Sequence, residues 1–387
     1  MAEATPAKLH VLTLTPFYPS EDNEVSGCFV AEPLQRVCAQ GVTCSVIAVN
    51  SIYHSAKKSS WQFPAEWLGY FQLPGIFGLS SAGRFLAAAL MNKVRHLHSR
   101  EPVHLIHAHA ALPCGHAAML LSKSMGIPYV VTIHGLDVFN RCFQNGAAAR
   151  WRKNNSQRVY AGAEKVICVS EKVRQLLTAE DNPPANSDVA YNGTDTEFFT
   201  PGGVPEQAPT ILMVGNLMAS KGHELVLRAV ARIRNSHPDL RCTIIGEGAD
   251  RSRFIALAQD LNIYHRIDFL GRRSRREVAA AMRSCSVFVL PSRYEGLGCV
   301  YLEAMACGKP VIACRGQGID EIVHHGSNGW LIPVDGLEEL VEALRSLLAN
   351  ANLRATIGEA ARKAIVDTFT LEHQARKLTT IYREVAR

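Results

Sequence analysis

Short apolar runs recur along the chain, separated by longer stretches whose apolar positions follow a helical spacing. In the first half the runs are Leu9 to Leu14, Ser45 to Val49, Val103 to Ile106, Tyr129 to Ile133 and Lys165 to Val169. In the second they are Thr210 to Val214, Arg241 to Ile245, Ile267 to Leu270, Val287 to Leu290 and Val311 to Ala313. This alternation predicts α/β architecture with parallel sheets covered by helices. Between the two series, residues 192 to 209 carry Pro201, Pro205, Pro209, Gly193, Gly202 and Gly203, a poor helix or strand and a good linker. The predicted organisation is one domain over 1–191, a linker over 192–209 and a second domain over 210–369. A terminal helix over 370–387, with apolar positions at Leu371, Ala375, Leu378 and Ile381 or Tyr382, is expected to pack back toward the first domain. Two sheets joined by one linker are expected to face each other across a cleft, with ligands at the carboxyl ends of the strands.

Composition narrows the class. The 387 residues are enough for two cores, and 47% apolar with 20% charged residues excludes a disordered chain or a coiled coil. Eleven cysteines without a Cys-x-x-Cys pair read as reduced core residues of a cytosolic protein. The run from Leu9 ends at Pro16, too short for a signal sequence, and no apolar run approaches the roughly 20 residues of a membrane span. A net charge of +6 does not point to nucleic acid, although it favours weak attraction to phosphates or anionic membranes.

The most informative stretch is "VFVLPSRYEGLGCVYLEAMACGKPVIA", which reads as a buried strand to Leu290, a glycine loop through Glu295, Gly296 and Gly298, and a helix to about Ala306. Amides at Leu297, Gly298 and Cys299 would stand unpaired at the helix N-terminus, where the dipole favours a diphosphate. Glu295 and Glu303 supply carboxylates suited to a sugar diol or a ribose diol, since each can accept two hydroxyl hydrogen bonds.

Glu-x7-Glu in "EGLGCVYLE", preceded by "LPS" and followed by "AMACGKPVIA", resembles glycosyltransferase family 4. The resemblance extends over "VGNLMASKG", "VICVSE", "NGTDTEFF", "HLIHAHAALPCG" and "TIHGLDV", and with "GCFV" it is similar to the teichuronic acid and cell-surface polysaccharide branch. It implies a GT-B fold of two Rossmann-like domains, a UDP- or GDP-sugar donor and retention of anomeric configuration. It further implies no cofactor, no required metal, and a glycan or lipid-linked acceptor. On the matching positions, Glu295 contacts the donor sugar, Glu303 the ribose, and the amides beside Leu297 and Gly298 the diphosphate. Lys221 matches a phosphate-binding lysine and His134 the active-site histidine. Where the family carries an arginine after the glycine matching Gly215, this chain has Asn216, a neutral amide. That leaves Arg272, Arg273 or Arg293 as candidate substitutes. Gly27, His109 and Asp137 fall on the acceptor or cleft side, and Asp137 either orients His134 or caps the next helix.

The remaining features add less. In "GRRSRREV", Ser274 and Glu277 form an expected capping box, and the arginines read either as a solvated face or as an anion site. "IIGEGADR" lacks the third glycine of a dinucleotide fingerprint, so a nicotinamide cofactor is not expected. His107 and His109 share a strand face, but spacing suggests no third metal ligand. Residues 61–100 combine aromatic side chains with a basic amphipathic helix. They read as a possible peripheral membrane contact or as a helix packed on its sheet behind a long loop. The expected protein is a cytoplasmic retaining glycosyltransferase at the inner face of the plasma membrane. The alternatives are a phosphorylase or epimerase on the same fold, and a non-catalytic nucleotide-sugar sensor.

Overall fold

The computed structural model describes residues 9–21, 23–54, 58, 61, 63–135, 146–179, 183–202 and 208–386. The chain divides into two compact units, Met1–Tyr191 with Leu371–Arg387, and Asn192–Thr370.

In the first unit the strands are β1 (His10–Thr15), β2 (Thr43–Ser51), β3 (Glu66–Tyr70), β4 (Leu105–His109), β5 (Tyr129–Ile133), β6 (Lys165–Cys168) and β7 (Ser187–Val189). They pair in parallel in the order β3-β2-β1-β4-β5-β6-β7. β1, β4 and β5 are buried along their whole length, as strands covered on both faces must be, which is why they read as apolar runs rather than alternating ones. The helices are α1 (Cys28–Ala39), α2 (Gly78–Arg100), α3 (His116–Met125), α4 (Ala147–Gly162) and α5 (Glu171–Thr178).

The second unit holds β8 (Thr210–Val214), β9 (Arg241–Ile245), β10 (Ile267–Gly271), β11 (Val287–Val289), β12 (Val311–Cys314) and β13 (Trp330–Ile332). They are again parallel, in the order β10-β9-β8-β11-β12-β13. Its helices are α6 (His223–Ile233), α7 (Arg251–Asp260), α8 (Arg275–Ser284), α9 (Cys299–Ala306), α10 (Leu337–Ala349) and α11 (Ala351–Thr368). α6 buries Val226, Leu227, Val230 and Ile233, the stripe that helical spacing sets against the sheet. The α/β fold class expected from the alternating runs is the one observed, twice.

The final helix, α12 (Leu371–Val385), belongs to the first unit. Its Ala375, Leu378, Ile381 and Tyr382 join Val11, Val37, Leu105, Val130 and Ile167 in one core. Residues 192–202, from the segment read as a linker, lie with the second unit, where Thr194 bridges Thr370 and Phe199 is buried.

In both sheets the strand order reverses beside the first strand, between β1 and β4 and between β8 and β11. Loops leaving such neighbours diverge to opposite faces, opening a crevice at the carboxyl ends. The loop expected before α2 requires a correction, because Glu66–Tyr70 forms the edge strand β3 beside β2. Trp61, Phe63 and Trp67, among the aromatics of this segment, pack against a core of Tyr18, Val30, Ala31 and Leu34. The physical reason is that Trp67 of β3, with Trp61 and Phe63 from the segment before it, buries apolar surface against α1 and β2 rather than leaving it to solvent. Phe71, Leu73 and Phe77 remain exposed. In α2, Phe85 is 38% exposed, while Leu86, Leu90 and Val94 carry the packing.

Candidate functional site

In the second unit the crevice between β8 and β11 is built from glycines that let backbone approach backbone. Gly215 follows β8, and the φ of +144° at Gly246 sets its α-carbon so that a Cβ would lie 2.0 Å from the Gly215 carbonyl oxygen. Gly222 has φ +76°, and a Cβ there would lie 2.2 Å from the Pro291 carbonyl oxygen. Only glycine therefore allows the turn Ala219–Lys221 to press on the loop after β11, where the Arg293 amide donates to the Ser220 carbonyl at 2.8 Å.

That contact sets the position of Lys221. Its Nζ donates to Glu295 Oε2 at 2.5 Å, with side chains 22% and 15% exposed. Gly296 and Leu297 are buried. Gly298, at φ +83°, opens α9, and a Cβ there would lie 2.8 Å from the Glu295 Cγ and 2.6 Å from the Tyr301 ring. The loop is braced by Gln317, whose Oε1 accepts from the Glu295 amide at 3.1 Å, and by Gly318, whose amide donates to the Glu295 carbonyl at 3.1 Å. Glu303 lies on α9, half-buried, and desolvation raises its carboxyl above the ordinary range while the Arg275 guanidinium opposes the shift. Arg275 lies over the rings of Phe198 and Phe199 at 4.7 and 4.9 Å.

The arginines considered for the phosphate differ in placement. Arg272 is exposed just after β10, Arg273 lies 3.6 Å from Glu277, and Arg293 is paired with Asp335 at 2.9 Å. Asn216 is exposed, with its carbonyl accepting the Met218 amide. The Ser274–Glu277 capping box is present. Gln317, Gly318 and Arg275 were not singled out in the sequence. The only available signal for the first two was the glycine-rich "RGQG" just beyond the carboxyl end of β12.

In the first unit, His109 ends β4 and His134 follows β5. His109 Nδ1 and His134 Nε2 are 3.0 Å apart. His107 Nδ1 lies 2.6 Å from the Tyr382 hydroxyl and its Nε2 lies 2.7 Å from Thr132 Oγ1, so both its nitrogens are engaged. Among the described residues, no group of three His, Cys, Asp or Glu side chains is placed to hold a metal ion. Gly27 caps α1 at φ +77°, and a Cβ there would lie 2.4 Å from the Phe17 carbonyl carbon. This close approach brings Phe29 and Phe17 to 4.7 and 5.6 Å from the His134 ring. Asp137 lies outside the described residues.

Burial lowers His107 and His134 to about 3, holds His109 well below 6.5, and lowers His223 to about 4. These rings are neutral when folded but take up protons below about pH 6.5 when unfolded, so stability is full above that pH and is lost as pH falls toward 3 to 4. The urea midpoint is therefore expected to fall steadily between about pH 7 and pH 4.5, before most carboxylates titrate. A flat midpoint over that interval would contradict neutral burial of the histidines.

Residues 29–198 match the family model described as Glycosyltransferase Family 4, and residues 194–364 match the one described as Glycosyl transferases group 1. The chain is 34% identical over 286 residues to the uncharacterized glycosyltransferase MJ1178 of Methanocaldococcus jannaschii, covering 74% of this chain and 77% of the relative. It belongs to the GT-B glycosyltransferases. Sucrose-phosphate synthase from Thermosynechococcus elongatus shares the fold with a TM-score of 0.83 at 22% identity, over 97% of this chain and 98% of the other. So does Anabaena HepE in complex with UDP and glucose, with a TM-score of 0.76 at 18% identity, over 97% and 100%. As a glycosyltransferase, the chain has no described helix long and apolar enough to cross a membrane.

Proposed function

We propose that this glycosyltransferase moves a sugar from a UDP- or GDP-sugar, bound by the second unit, to a glycan or lipid-linked acceptor bound by the first, in cell-surface polysaccharide synthesis. The observation that carries the reading is the Lys221–Glu295 pair beside the N-terminus of α9. A diphosphate there would take over the Lys221 ammonium and the first amides of α9, releasing the Glu295 carboxylate to the hydroxyls of the donor sugar. Glu303 would accept from the ribose diol. Gly215 would let the diphosphate approach the backbone, Asn216 would donate one amide hydrogen bond, and exposed Arg272 would supply the second positive charge. HepE, of the same fold, is complexed with UDP and glucose, which favours UDP over GDP.

Reaction with retention needs no enzymic nucleophile. The acceptor oxygen bonds to the anomeric carbon on the face from which the diphosphate departs, and a diphosphate oxygen takes the acceptor's proton. The enzyme's work is then positioning and stabilisation of charge, with His134 against the transferred sugar and no metal or cofactor required. Peripheral contact with the cytosolic face of a membrane is part of the same reading. Ile52, Tyr53, Phe71, Phe77 and Phe85 are exposed, and α2 and α4 carry arginines and lysines but no carboxylate.

Calorimetry with free nucleotide and nucleotide sugar tests the donor assignment. Glu303→Ala is expected to weaken UDP and UDP-sugar alike, whereas Glu295→Ala should spare UDP and weaken only the sugar donor. Unchanged UDP affinity in Glu303→Ala would remove the ribose role. Transfer activity abolished by EDTA and restored by manganese would overturn the metal-free account.

A further inference from the structure

Asp137 is not the only group that could orient His134, since the structure places a different side chain directly on its ring. His109 and His134 meet nitrogen to nitrogen at 3.0 Å, with ring planes only 15° apart. The His109 ring also packs on His107, with centroids 4.3 Å apart, and His107 is tied at both nitrogens to Thr132 on β5 and Tyr382 on α12. Phe29 closes the stack beyond His134. Ala110, immediately after His109, has φ +67°, a strained value for a residue with a side chain, and its amide is anchored to the Thr132 carbonyl at 2.9 Å. The backbone thus turns sharply at Ala110, directly after His109, while packing fixes the His109 ring.

We propose that His109 is the positioning residue of His134, setting which nitrogen of that ring carries its proton. Two neutral imidazoles joined by one hydrogen bond share a single proton between the facing atoms. If His109 Nδ1 carries it, His134 must be protonated at Nδ1, and that nitrogen can donate to a hydroxyl. If His134 Nε2 carries it, Nδ1 is an acceptor. The tautomer of one ring therefore dictates that of the other, and His109, clamped by His107 and the hydroxyl of Tyr382 behind it, is the less free partner. Burial keeps both rings neutral, which preserves this coupling at physiological pH. The inference rests on the proposed placement of His134 against the transferred sugar for its catalytic meaning, but not for its physical content.

The test combines long-range proton–nitrogen NMR of histidine-labelled full chain with kinetics. The parent is expected to show His134 in one dominant tautomer. His109→Phe and His109→Gln, neither of which can put a nitrogen where Nδ1 stands, should give His134 averaged nitrogen shifts and lower kcat by about 10-fold or more with donor KM unchanged. His109→Asn, whose amide can reach that position, should recover most of the kcat. The Gln variant serves if the Phe variant does not fold. Unchanged His134 shifts in a folded His109 variant would overturn the proposal. Altered shifts with unaltered kcat would uphold the coupling and instead remove His134 from the reaction, so the two readings fail separately.

Discussion

Lys221→Ala is expected to lower kcat/KM by about 30- to 1000-fold, equivalent to about 2 to 4 kcal/mol of transition-state stabilisation. The size follows from two losses at once. The developing negative charge on the leaving diphosphate loses its nearest cation, and Glu295, 15% exposed and bonded to Lys221 Nζ at 2.5 Å, is left as a shielded carboxylate beside that diphosphate. Like charges would then meet where opposite charges met before. Lys221→Arg is expected to recover little, because the Gly222 turn sits against Pro291 and leaves no slack for a longer, planar head group. Steady-state kinetics at saturating acceptor, with a thermal melt on the same preparation, check this. A folded Lys221→Ala enzyme within about 3-fold of the parent would transfer the role to Arg272.

His134→Ala should reduce turnover by roughly 10²-fold while nucleotide binding by the second unit stays unchanged. The ring is flanked by Phe17 and Phe29 and bonded to His109, so some loss of melting temperature accompanies the loss of activity. Activity per folded molecule separates the two effects. A variant that melts early but turns over normally would make His134 a packing residue of the first unit.

The ten apolar runs named from the sequence all became strands: most are interior strands, apolar at nearly every position because both faces are covered, and the edge strand β10 was legible from its apolar Ile267, Phe269 and Leu270. β3, β7 and β13 escaped notice. All three are edge strands of their sheets, where one neighbour suffices and polar residues are tolerated, as Ser187-Asp188-Val189 shows. The capping box at Ser274 was legible because its partners are three residues apart. Contacts that support the candidate site were not. Gln317 reaches Glu295 across 22 residues and Tyr382 reaches His107 across 275, and neither pairing leaves a local trace in composition or periodicity. Lys221 and Glu295 were each named from motifs, yet their ion pair required the Gly222–Pro291 contact to be seen.

The first unit is not a continuous stretch of chain, since its core includes Ala375, Leu378, Ile381 and Tyr382 from α12. During synthesis, the sheet of that unit leaves the ribosome with one face lacking its helix. At about 5 to 20 residues per second, the stretch from residue 192 to α12 takes on the order of 10 to 40 seconds to emerge. The second unit, Asn192–Thr370, has all its residues available before α12 is made. The half of the protein translated first is thus the half completed last, and the Tyr382 hydroxyl that secures His107 arrives only at that final step.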